Sequence, residues 1–306
     1  MTARPDPSTP DAPRRSRRPW AWVPSLYFAE GIPYVIVMIV SVTLYKRLGV
    51  SNTEIALYTS WLYLPWVIKP LWSPVVDLLK TRRGWIVTMQ LLIGAGLAGV
   101  ALTLPGDDFL RWSLAFLWLL AFSSATHDIA ADGFYMLGLD RPQQAWFVGV
   151  RSTFYRLAMI TGQGVLVMIA GVLETSTGNI PLAWSLTFYL LAALFLGFGA
   201  WHYFMLPRPA LDRSHPNITL TGLFAGFGET FASFFRKPGI VAILAFLLLF
   251  RFAEAQLAKM ASPFLLDVAG VGGLGLSTAQ VGFVYGTVGV LMLTVGGLLG
   301  GFLAAR

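Results

Sequence analysis

Eight predominantly apolar stretches, each about 20 residues long or longer, dominate this chain, and a run of that length is what a helix needs to cross the hydrocarbon core of a bilayer. They cover residues 22–45, 54–76, 85–104, 111–132, 143–172, 182–206, 238–260 and 279–303. Inside lipid every backbone N–H and C=O must find a partner within the protein, so such runs fold as helices. Composition agrees: 12% of the 306 residues are Asp, Glu, Lys or Arg, against about 25% in soluble domains, and 56% are hydrophobic. Stretches such as 85–104 and 183–201 offer almost no polar face to water. A soluble globular fold is excluded. With no cysteine, disulfides, thiolate metal sites and cysteine nucleophiles are excluded too.

The net charge of +7 could suggest nucleic acid as a partner, but its placement argues against that. Arg14, Arg15, Arg17 and Arg18 lie in a Pro-rich tail directly before the first apolar run, where basic residues orient a membrane protein. That run is longer than the core of a cleavable signal peptide, and no small-residue cleavage site closes it. Fourteen Lys and Arg fall in the tail and in the loops on its side of the membrane. The other side has three: Lys46, Arg47 and Arg111. The bias places the N-terminus and the long middle loop in the cytoplasm.

The chain also resembles itself. Phe28-Ala29-Glu30 in the first span recurs as Phe252-Ala253-Glu254 in the seventh. Leu48-Gly49-Val50-Ser51-Asn52-Thr53-Glu54 ahead of the second matches Leu274-Gly275-Leu276-Ser277-Thr278-Ala279-Gln280 ahead of the eighth. Both latter segments read as capping boxes, in which Ser accepts from a first-turn amide while Glu or Gln reaches back. A duplicated six-helix unit with parallel copies accounts for the repeat. It predicts a basic tail at 1–21, a six-helix unit at 22–206, a cytoplasmic loop at 207–237, and the first two helices of a second unit at 238–306. The same arithmetic forecasts about 120 further residues and a twelve-helix whole. Without them the last two helices are expected to dock loosely and transport to fail.

Each charge kept near the bilayer centre costs about 2.5–3.5 kcal/mol, so it marks function by default. Counting about 1.5 Å of rise per residue places Glu30, Lys69, Asp128 and Arg151 at one level. Arg156, Arg251 and Glu254 fall nearer the midplane, while Asp132 and Lys259 fall close to an interface. Asp128 and Asp132, spaced i, i+4, share a helix face and suit a proton relay; pairing with Arg151 or Lys69 would instead make them structural. Arg251 and Glu254, at i, i+3, are spaced to neutralise each other. Pro33, three residues after Glu30, removes a backbone donor and opens the first helix near that carboxylate. Tyr27, Tyr34, Trp61, Tyr63, Trp66 and Trp72 crowd the first two spans, as interfacial belts or as stacking surfaces for a sugar or peptide. His127 has no second His within a span, so no metal site is expected. G-x-S-x-G, H-E-x-x-H and the phosphate-binding P-loop are all absent, which argues against an enzyme or an ATP-driven pump.

Three segments together resemble one family. Leu26-Tyr27-Phe28-Ala29-Glu30-Gly31-Ile32-Pro33-Tyr34, Trp66 to Asp77 with Arg82-Arg83-Gly84-Trp85, and Asp128-Ile129-Ala130-Ala131-Asp132-Gly133 are similar to the AmpG muropeptide permeases and their acetyl-coenzyme A transporter relatives, within the major facilitator superfamily. The resemblance implies an all-α membrane protein of the major facilitator fold, with eight of twelve helices present. It implies a proton-driven symporter, with no cofactor but the proton gradient, that imports anhydromuropeptides across the bacterial inner membrane. It makes Asp77, Arg82 and Arg83 the cytoplasmic gate, and Asp128 and Asp132 the acidic pair of the fourth helix. With Glu30 and Glu254 these complete the expected proton-coupling set. Arg151, Arg156, Arg251, Lys69, Tyr34, Tyr63 and His127 are the expected substrate-binding residues, since guanidinium groups select carboxylates or phosphates. The expected partners are the lipid bilayer and a small anionic solute, with no nucleic acid, and the protein is expected to be monomeric. A carrier for another anionic or sugar solute, a membrane sensor and a membrane-bound transferase are the alternatives, in that order.

Overall fold

The computed structural model describes residues 19–213 and 232–292, apart from 74, 75, 77, 78 and 234, together with 295. We label the spans α1 (Pro19–Arg47), α2 (Asn52–Trp61 and Leu64–Ile68, ending in the 3-10 turn Lys69–Leu71), α3 (Arg82–Thr103), α4 (Phe109–Gly138), α5 (Arg141–Thr177), α6 (Ile180–Met205), α7 (Ile240–Leu266) and α8 (Thr278–Met292). Successive spans run in opposite directions, so one end of the bundle carries the start of α1 (the near face). The other carries the α1–α2, α3–α4, α5–α6 and α7–α8 connections (the far face).

Among the described residues six of the eight expected spans are long, apolar helices, and α2 departs from that expectation. Hydropathy reads 54–76 as one run, but Pro65 has no N–H for the Trp61 carbonyl and its ring clashes there. The helix accordingly stops at Trp61, restarts at Leu64, and gives way at Ile68 just before Pro70. The described part of α8 ends at Met292 and is shorter than a full span.

Helix starts follow local chemistry. Ser51 and Glu54 form the expected capping box at α2, and Ser277 and Gln280 form it at α8. A third box, Asp140 with Gln143, starts α5. Thr81 and Asn179 cap α3 and α6, and Gly178, at φ 63°, ends α5 in the left-handed conformation that glycine adopts without strain.

α1 is the most buried span and packs against α4, α5 and α6, while α3 lies between α4 and α6. A chain of buried polar groups crosses this core: His127 of α4 meets the Gln90 amide at 3.0 Å, the Gln90 carbonyl meets His202 at 2.9 Å, and His202 meets Ser25 at 3.0 Å. Each group thereby has a partner in an interior where an unmade hydrogen bond is costly.

α8 packs on α5 with almost no side chain between them. A Cβ built on Gly164 would lie 2.5 Å from the Gly286 Cα. Gly164→Val is therefore expected to push α5 and α8 apart and lower the melting temperature, by overpacking that costs about 1–3 kcal/mol. An unchanged melt would show that the two helices do not meet there.

A cavity of aromatic rings, carboxylates and two cations

Breaking α2 at its prolines turns Tyr63, Trp66 and Lys69 inward. With Glu30 and Tyr34 of α1, Ser124 and Asp128 of α4, and Tyr155 of α5 they line a cavity of about 300 Å³. Tyr34 and Trp66 meet edge to face at 5.2 Å, so one wall is aromatic. Lys69 makes a hydrogen-bonded ion pair with Asp128. One turn along, Arg151 pairs with Asp132 at 2.8 Å, and the Tyr27 hydroxyl donates to the same oxygen at 3.3 Å. The Arg151 guanidinium lies over the Tyr27 ring at 4.6 Å and the Tyr135 ring at 5.6 Å, a cation–π arrangement that fixes its plane. Glu30, Asp128 and Asp132 bring carboxylate oxygens within 4.8 Å of one another.

The structure thus gathers Glu30, Lys69, Asp128, Asp132, Arg151, Tyr34 and Tyr63 in one neighbourhood. Asp132 belongs to that cluster rather than to an interface, because α4 continues to Gly138 where 111–132 was expected. Lys259, also expected at an interface, is half-buried and donates to Thr59 of α2 at 3.1 Å. His127 does not line the cavity; it is fully buried in the polar chain with Gln90. Arg156 and Glu254 are exposed and do not line it either. The Arg251 side chain and Asp77 lie outside what the structure describes. Trp66, one of the aromatics offered as a belt or a stacking surface, lines the cavity, and so do Ser124 and Tyr155, which no pattern in the sequence singles out above. Tyr155 stands at i+4 from Arg151, so the periodicity of one helix face would have found it.

At the near face the Arg83 side chain donates to the Tyr203 and Leu206 carbonyls at the end of α6 and lies over the Tyr203 ring. The backbone amides of Arg82 and Arg83 donate to Asp212 at 2.7 and 3.1 Å, so this loop carboxylate sits on the N-terminus of α3. The Arg82 guanidinium lies against Gly133 of α4.

The far face is fastened by two further polar clusters. Glu174, at the end of α5, accepts from Arg47 of α1 at 2.9 Å, from the Trp184 indole of α6 at 2.7 Å and from Thr278 of α8 at 2.7 Å. Asp267, just past α7, pairs with Lys46 and accepts from Asn52 at 3.0 Å. Those hydrogen bonds from Lys46 and Asn52 hold the Asp267 carboxyl below its ordinary value of 3.8. The link is therefore intact at neutral pH and is lost only as pH falls through the lowered value. Thr43 and Ser262 share a buried hydrogen bond of 2.6 Å between α1 and α7.

Fold and cavity define a multi-pass membrane protein with the major facilitator fold. Residues 30–254 match the BT1 family, and the chain belongs to that family. It is 27% identical over 288 residues to the anhydromuropeptide permease of Escherichia coli K12, covering 92% of this chain and 54% of the permease. It is 28% identical over 293 residues to the putative transporter AmpG 4 of Rickettsia conorii, covering 92% of this chain and 66% of that protein. The chain thus spans about half the length of the first of these relatives. A crystal structure of a bacterial homologue of the human lysosomal transporter Spinster superposes with a TM-score of 0.66 at 18% identity, covering 96% of this chain and 64% of the other.

Proposed function

We propose that the protein serves a proton-coupled symporter that imports an anionic, cell-wall-derived solute such as an anhydromuropeptide across the bacterial inner membrane, with the N-terminus cytoplasmic. The observation that carries this reading is the cluster of Glu30, Asp128, Asp132, Lys69 and Arg151, joined by two ion pairs, beside an aromatic-walled cavity lined by α1, α2, α4 and α5. The names of the relatives supply the solute. The aromatic wall suits a sugar ring, whose C–H faces pack on such surfaces. The solute's carboxylate competes with Asp128 for Lys69, because both are anions and one ammonium cannot hold two at full strength. An Asp128 displaced in this way lies beside Glu30 and Asp132, and a proton held within this carboxylate cluster offsets the added negative charge, which links entry of the anion to entry of the proton. The transporter carries no cofactor and acts as a monomer.

The solute class is tested by competition for uptake of radiolabelled anhydromuropeptide. Carboxylate-bearing fragments should compete, and the corresponding amides should not. Equal competition by neutral or cationic analogues would overturn the anionic reading.

A further inference from the structure

The charges at the cavity do not balance. Three carboxylates meet two cations: Lys69 is taken by Asp128 and Arg151 by Asp132. The surplus falls on Glu30, which is 6% exposed and whose Oε2 is buried with no hydrogen-bond partner to offset a negative charge. Around it stand Tyr27 and Tyr34 on its own helix, Tyr63 and Lys69 of α2, Asp128 and Asp132 of α4, and Arg151 and Tyr155 of α5. None of these brings a third positive charge.

A buried carboxylate that faces two others, with its oxygen unpaired, is held ionised only against a large desolvation and repulsion cost. We propose that the empty cavity holds one resident proton, carried by the Glu30 carboxyl where it faces Asp128, while Asp128 and Asp132 remain ionised on their cations. The proton turns the third acceptor of the cluster into a donor and brings its charge to zero. A bound metal cation would need a shell of oxygens on several sides, and the flanks of this cluster are already filled by the Lys69 ammonium and the Arg151 guanidinium. The site thus starts its cycle loaded, and the coupling role expected of Asp128 passes to Glu30 in the empty state. This inference builds on the transport reading, but its test needs no solute, so the two fail separately.

The test is infrared difference spectroscopy of the purified protein in nanodiscs at neutral pH, with carbon-13 in the glutamate side-chain carboxyls. Wild type should show the carbonyl stretch of a protonated carboxylic acid, shifted by the label. Glu30→Gln should lose it. Asp128→Asn should lose it too, because two carboxylates then meet two cations. Lys69→Met should double the carboxylic-acid signal, because three carboxylates then meet one. Should Glu30→Gln fail to fold, the opposite signs of the other two variants still decide. A band that survives Glu30→Gln, a wild-type band untouched by the label, or a band abolished by added sodium ion at constant pH would overturn the proposal.

Discussion

Glu174→Ala is expected to unfasten the far face and to be among the most destabilising single changes in the protein. The carboxylate takes hydrogen bonds from Arg47, Trp184 and Thr278, so its loss orphans donors on three helices at once. Removing one partner of a buried pair costs about 3–5 kcal/mol; Arg47 is partly exposed, which reduces the expected loss to about 2–4 kcal/mol. The chain has no cysteine, so a single Ser262→Cys reports on this face without background. Ser262 is buried against Thr43 between α1 and α7. In the parent protein the thiol should resist a membrane-impermeant maleimide, and with Glu174→Ala it should label. Equal labelling of both would show that Glu174 does not hold this face shut.

Lys69→Met should abolish uptake, by at least about 100-fold, because the ammonium is the counter-charge of Asp128 and, under the proposed function, the cavity's point of attachment for an anion. Stability should fall as well, since Asp128 is left without its cation. The double variant Lys69→Met, Asp128→Asn separates the two effects. Its melting temperature should return toward the parent's, because no unpaired charge remains, while uptake stays absent. Recovery of uptake together with stability would make Lys69 a structural partner of Asp128 and nothing more.

What the sequence reveals about this fold is what is local in it. The boxes at Ser51 and Ser277 are legible because donor and acceptor lie three residues apart. Hydropathy finds the spans but misses the break in α2, since a sliding count treats Pro65 and Pro70 as apolar residues rather than as missing donors. Depth counting groups Glu30, Lys69, Asp128 and Arg151 correctly, but it misplaces Asp132, because α4 runs six residues beyond its expected end, about 9 Å of rise. His127 follows the same logic in reverse. As the neighbour of Asp128 it points about 100° around the helix, into the Gln90 chain rather than the cavity. The links of Glu174 to Arg47 and Thr278 and of Asp267 to Lys46 join residues more than a hundred positions apart. No spacing in the chain announces them.

Proton-coupled import is tested most directly by uptake of labelled anhydromuropeptide into proteoliposomes carrying the protein as its cell makes it, under an imposed gradient that is alkaline inside. Accumulation above the external concentration is expected, with its collapse on adding a protonophore and no accumulation by Glu30→Gln under the same gradient. Accumulation that survives the protonophore, or that Glu30→Gln sustains at the parental level, would contradict this coupling.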